Sequence, residues 1–135
     1  MLRSVDKVKR DESLEGCFGC GAENEQGLKL EFHWEGDDYV APFTAGEPHQ
    51  GYPGVVHGGI IASVLDEAMG RLLWEKRGGG PTRKLTVEYL APLGPGEATV
   101  CRARMVKTKG RAVFLEAELC RSGEQVAVAT GTYIV

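Results

Sequence analysis

Apolar residues recur at helical spacing from Val55 to Trp74, the longest apolar stretch of the chain, and predict one helix entered through a Gly-rich turn. Ile60, Ile61, Val64, Leu65, Ala68 and Leu72 fall in one broad arc, the stripe that a helix lays against a sheet. The opposite side carries Gly59, Ala62, Ser63, Asp66, Met69, Gly70 and Leu73, which are mostly small or apolar. Such a helix is expected to be covered on both sides, by a sheet on one and most simply by a second copy of the chain on the other.

Elsewhere the pattern has a period of two. Gly27 to Trp34 alternates apolar and polar and predicts a strand, Asp37-Asp38 makes a turn, and Tyr39 to Phe43 returns as the next strand. Arg77-Gly78-Gly79-Gly80-Pro81 breaks the chain after the helix. Four strand-like runs follow, Arg83 to Leu90, Ala98 to Lys107, Ala112 to Arg121 and Val126 to Val135, at the short spacing of an antiparallel meander. Two strands, one long helix and four strands make an α+β domain, an antiparallel sheet of about six strands around one central helix. It is expected over residues 16–135, after a charge-dense arm over residues 1–15.

Composition and charge narrow the picture. At 135 residues the chain suits one domain, and a net charge of −3 gives no general attraction to nucleic acid or to an anionic membrane. No stretch has the apolar length of a membrane span, and the first residues lack the apolar core of a secretory leader. The expected compartment is the cytoplasm.

Two neighbouring acids on the helix differ in their surroundings. Glu67 precedes Arg71 by one turn and Arg71 precedes Glu75 by another, a ladder that reads as a solvated ion-pair row. Asp66 has Ala62 and Gly70 one turn away on either side and no cation within a turn. An unpaired carboxylate on a covered face is the mark of a site. At the helix start, His57-Gly58-Gly59 leaves N–H groups without side-chain cover where the helix dipole is positive, a place for an anion or a developing oxyanion. The turn-rich loop Gly46 to Gly54 leads straight into it and brings His49 and Gln50 toward the same place.

Cys17-Phe18-Gly19-Cys20-Gly21 has the spacing of half a zinc site or a redox dithiol. Cys101 and Cys120 stand singly, so no second Cys pair completes a zinc site, and His33 or His49 would have to be brought in by folding. The motif is read as a Gly-rich turn with two small reduced thiols, without metal.

His57-Gly58-Gly59, six mostly apolar residues, Asp66, an upstream Gln/His segment and Tyr89-Leu90-Ala91-Pro92 downstream resemble, in order and spacing, the hotdog-fold acyl-CoA thioesterases of the phenylacetic-acid-pathway type. The resemblance covers roughly residues 16 to 135. It implies a hotdog fold, a dimer (or a tetramer formed by two dimers) with active sites between subunits, an acyl-CoA substrate and no cofactor. On it, Gly58 N–H polarises the thioester carbonyl, Asp66 acts as nucleophile or general base, Gln50 or His57 orients carbonyl or water, and Thr82 holds the water near Asp66. One departure stands out. The relatives place an Asn or Gln six residues before the His, where this chain has Gly51, and Gln50 lies one residue further back.

For the substrate, Gly59 and Tyr52 adjoin the helix start, and the basic hairpin with Lys109 and Arg111, or Arg83 and Lys84, offers cations for CoA phosphates. Met69, Leu73, Trp74 and Tyr52 are candidates to line an acyl slot. Two other classes share the fold: a non-catalytic acyl-CoA-binding module, and a hydratase or dehydratase, which uses an Asp/His pair arranged differently.

Overall fold

The computed structural model describes residues 11–135. Helix α1 spans Gly58–Arg77, three residues further along at each end than the apolar pattern marks. Both shifts have local causes. His57 takes the N-cap with φ −59° and ψ 132°, its Nδ1 accepting the Gly59 N–H at 2.8 Å. At the far end the charged last turn hides the helix from an apolar count, and Gly78 closes it at φ 79°, a left-handed cap suited to glycine.

The strands are β1 (His33–Glu35), β2 (Asp38–Thr44), β3 (Thr82–Tyr89), β4 (Ala98–Lys109), β5 (Ala112–Arg121) and β6 (Glu124–Ile134). They form one antiparallel sheet in the order β1-β2-β4-β5-β6-β3, so β1 and β3 are its edges. The meander expected after the helix is present, with β3 folded back to the outside of β6. Alternate residues face the helix: Cys101 and Ala103 on β4, Val113, Leu115, Ala117 and Leu119 on β5, and Ala127, Ala129 and Tyr133 on β6, all buried. Against them α1 packs Ile61, Val64, Leu65, Ala68 and Leu72, also buried; each large aliphatic contributes about 2 kcal/mol. Small side chains beneath the helix let it lie close. A Cβ at Gly131 would stand 2.7 Å from the Tyr133 ring and 3.2 Å from Met69 Cε.

The second side of α1 corrects the sequence-based expectation. Met69 and Leu73 are fully buried within one chain, so they belong to the core and line no acyl slot. Glu67 and Arg71 are covered by the chain's own N-terminal segment, and Trp74, 37% exposed, is tied to it by its indole N–H. Cys17 Sγ donates to Glu67, Trp74 Nε1–H donates to Asp11 at 2.8 Å, and Lys76 Nζ sits 5.0 Å over the Trp34 ring. Glu67 is therefore no solvated ladder residue, although Arg71, itself buried, does pair with Glu75.

The strand expected over Gly27–Trp34 forms only from His33 on. Leu28 and Leu30 donate their N–H groups to Phe18 and Gly19 carbonyls at 2.7 and 2.9 Å, and Lys29 adopts φ 54°, so this stretch ties to the Cys loop instead of a ladder. Its apolar alternation is satisfied all the same, with Leu30 and Phe32 buried and Phe32 stacked on Tyr39 at 4.6 Å. Of the arm expected over residues 1–15, residues 1–10 lie outside the described part, and Glu12–Leu14 form a turn of 3-10 helix capped by Asp11. Among the described residues, no helix is long and apolar enough to cross a membrane.

Candidate active site

What stays open on α1 is narrower than the sequence implied: Gly59, Ala62, Ser63, Asp66 and Gly70 are exposed or half-buried. Asp66 is central to it. Its Oδ1 accepts hydrogen bonds from Tyr133 Oη at 2.7 Å and Thr82 Oγ1 at 3.0 Å. Both donors come from neighbouring strands, β6 and β3, whose register places Thr82 opposite Tyr133. The two hydroxyls fix the carboxylate by one oxygen, and Oδ2 has no hydrogen-bond partner among the described residues. Thr82 thus holds Asp66 directly. Burial and the neighbouring Asp66 carboxylate raise the Tyr133 hydroxyl well above the ordinary tyrosine range, keeping it a donor.

The helix start forms a second centre. The Gly58 N–H has no partner among the described residues, whereas the Gly59 N–H is capped by His57 and those of Ile60 and Ile61 reach the His57 carbonyl. Tyr89 Oη donates to the Gly58 carbonyl at 2.6 Å, clamping the first turn to the end of β3. Because His57 Nδ1 accepts from Gly59, the neutral ring carries its proton on Nε2 and acts as a donor. Gln50 Oε1 accepts the Gly54 N–H at 3.1 Å, leaving its amide NH2 as the free donor. Gly51, at the position where the resembled family has an Asn or Gln, lies against His57: a Cβ there would be 3.1 Å from His57 Cα.

These groups open onto a cleft of about 800 Å³ lined by Gln50, Tyr52, His57, Gly58 and Tyr89 and floored by Val55, Val56, Ile61, Leu90 and Leu93. Tyr52 is 85% exposed at its rim. The structure thus gathers the expected Gln50, Tyr52, His57 and Gly58 in one place and Asp66 with Thr82 in another. Eight residues of helix separate the two, about 12 Å along the axis at 1.5 Å per residue. No single thioester spans that within one chain.

Lys109 and Arg111 sit on the β4–β5 hairpin outside the cleft, Arg111 Nε donating to the Val135 carbonyl at 2.8 Å. Trp74 lies at the opposite end of α1 from the cleft, bound to Asp11. A smaller depression of about 460 Å³ on the outer face of the sheet is lined by Arg102, Arg104, Glu88, Glu116 and Glu118; its arginines are occupied by Glu35, Asp38 and Glu116, and no candidate residue reaches it. Sequence reasoning assigned no role to Tyr133 or Tyr89. Tyr133 was findable as the one hydroxyl-bearing large residue at the inward positions of the last strand, and Tyr89 as the residue that opens Tyr-Leu-Ala-Pro.

Near the site, the Cys-x-x-Cys turn faces Glu67. Cys17 Sγ lies 3.5 Å from Oε1 and 3.7 Å from Oε2. Burial raises the Glu67 carboxyl above its ordinary value, against the opposing pull of the cysteine hydrogen bonds and Arg71. Burial, with Glu67 beside it, also raises Cys20. His33 bonds Glu35, and His49 accepts the Gly46 N–H; neither joins the cysteines.

One long helix wrapped by a six-stranded antiparallel sheet, with an uncapped helix-start N–H and a carboxylate two turns on, places the protein in the hotdog class. The sequence matches the thioesterase superfamily over residues 53–128, more than half of its length, and the chain belongs to that superfamily. It is 34% identical over 80 residues to acyl-coenzyme A thioesterase THEM4 of Xenopus laevis, covering 59% of this chain and 36% of that protein. The rat THEM4 is 27% identical over 123 residues, covering 88% and 53%. The chain spans about half the length, or less, of these curated relatives. A variant of the phenylacetic acid degradation protein PaaI from Thermus thermophilus is 28% identical with a TM-score of 0.71, covering 79% of this chain and 93% of that one. Mouse thioesterase superfamily member 2, at 20% identity and a TM-score of 0.72 over 78% and 87%, shares the fold.

Proposed function

We propose that the protein hydrolyses acyl-CoA thioesters at sites formed between two copies of the chain. The observation that carries this reading is the geometry of β3. It is an open edge whose first residue, Thr82, holds Asp66 and whose last, Tyr89, holds Gly58. Two such edges pairing antiparallel about a two-fold axis set the Thr82 end of one against the Tyr89 end of the other. Asp66 of one copy then faces the helix start of the second, which closes the 12 Å gap that separates them within a chain.

At such a site the Gly58 N–H donates to the thioester carbonyl, and one donor to a developing oxyanion contributes about 3 kcal/mol. His57 Nε2–H and the Gln50 amide assist in orienting it. Asp66 Oδ2, left open by the two hydroxyls on Oδ1, takes a proton from a water whose oxygen adds to the carbonyl carbon, or attacks that carbon itself. Collapse of the tetrahedral species breaks the C–S bond. With water as the nucleophile, CoA leaves as its thiol with that proton. Direct attack instead releases CoA thiolate and leaves an Asp66 acyl anhydride that a water then cleaves. The water's oxygen goes to the free acid and one of its protons to the thiolate, with Asp66 restored as carboxylate. The apolar floor of the cleft receives the acyl chain, with Tyr52 and Gly59 at its mouth, and Lys109 and Arg111 meet CoA phosphates. A cytosolic setting, where the cysteines stay reduced and form no disulfide, completes the reading, with two dimers pairing into a tetramer.

Thiol release from a panel of short, long and aryl acyl-CoAs tests it. Wild type turns over at least one class, and Asp66→Asn loses a hundredfold or more with unchanged melting. Retention of CoA esters by wild type without turnover of any would replace the enzyme with a binding module.

A further inference from the structure

We infer that Cys17, Cys20 and Glu67 form a zinc site that staples the N-terminal segment to α1. The sequence shows only half a site; the fold supplies a third ligand from fifty residues downstream. One ligand atom from each residue lies within 4.8 Å of the others, and Cys17 Sγ is 3.5 Å from Glu67 Oε1. In a tetrahedral zinc centre, Zn–S of about 2.3 Å and Zn–O of about 2.1 Å set sulfur and oxygen ligands about 3.6 Å apart. The groups already stand at nearly that spacing, so an ion is accepted with small side-chain movements.

The surroundings are shaped for this cluster. A Cβ at Gly19 would fall 2.3 Å from Glu67 Cδ, and one at Gly21 would fall 2.2 Å from the Glu15 carbonyl and 2.5 Å from Cys17 N. Only glycines at both positions let the turn close over the carboxylate, and Gly21 N–H to Cys17 O at 2.8 Å locks it. Glu67 is otherwise poorly served: thiols donate weakly, and the nearby Arg71 bonds Glu75. Cys17 and Cys20 are half-buried, and the part that reaches solvent leaves the fourth zinc position to water. Two thiolates and one carboxylate suit a thiophilic divalent ion such as Zn²⁺ over Mg²⁺ or Ca²⁺.

The test uses the full chain, prepared without a histidine tag, reduced and freed of metal. Competition with a chromophoric chelator is expected to give one Zn²⁺ per chain at sub-micromolar affinity, with melting raised by the ion. Glu67→Gln, which keeps the side-chain shape, weakens binding at least tenfold. Cys20→Ser abolishes the melting shift, and Cys120→Ser, at the other half-buried thiol, changes nothing. Co²⁺ in place of Zn²⁺ gives an intense thiolate-to-metal charge-transfer band that Cys17→Ser diminishes. Reduced wild type that retains no Zn²⁺ against the chelator would overturn the assignment, as would affinity equal in wild type and Glu67→Gln.

Discussion

Asp66 is distinguished from Glu67, its neighbour on the same helix, by what each meets. Two hydroxyls hold one oxygen of Asp66 and leave the other open, while Glu67 turns into a pocket of sulfur. Tyr133 is accordingly a positioning residue acting through Asp66. Tyr133→Phe is expected to lower kcat about tenfold, the equivalent of about 1.4 kcal/mol, with KM nearly unchanged; a change confined to KM or to melting temperature would reduce Tyr133 to a core residue. Its ionisation also marks the fold. Burial raises both Tyr133 and Tyr39 above the ordinary value near 10. The folded state therefore binds more protons than the unfolded one above about pH 10, and stability present below that value falls as pH rises through the folded-state values. Denaturation midpoints across about pH 8 to 12 should hold steady and then drop, with a shallower drop in Tyr133→Phe; a flat profile contradicts the burial of these hydroxyls. Asp66 was legible in the sequence because no cation stood within a turn of it. Glu67 was misread because a helical row shows only its own neighbours, and the cysteines that cover it lie fifty residues upstream.

Among the elements, α1 and the three long strands β4 to β6 were legible because their periods of 3.6 and two are set by one buried face each. The stretch before β1 was not: Leu28, Leu30 and Phe32 alternate as a strand does, yet the backbone bonds to Phe18 and Gly19, and burial without a ladder leaves the same pattern. Nor does period alone mark β3 as an edge. Leu90 N–H bonds the Val126 carbonyl, and by antiparallel alternation the N–H groups of Leu85, Val87 and Tyr89 point to the open side. Val87→Pro removes one outward donor at the middle of the edge and spares the β6 ladder, a place where proline is tolerated. The expected result is a folded monomer by gel filtration with turnover down at least tenfold, although Asp66 and Gly58 are untouched. A fully active Val87→Pro dimer would mean that the copies join elsewhere.

For the whole molecule, the two halves of the site were each visible in the sequence, but their separation was not, since it follows from eight residues of helix between them. Everything proposed about function rests on a second copy closing that gap. Gly58→Pro offers a clean lesion on one side: proline is accepted at the first helical position, His57 at φ −59° and ψ 132° already has the conformation that precedes proline, and the change deletes the single N–H in question. Asp66→Asn is the lesion on the other. Each variant alone should be inactive by a hundredfold or more. Mixed in equal amounts under conditions where subunits exchange, they form mixed dimers in about half of cases by random pairing, each with one site that combines an intact Asp66 and an intact Gly58. Recovery of about a quarter of wild-type turnover is the predicted result. A mixture that exchanges subunits yet stays as inactive as its components would contradict a site shared between chains.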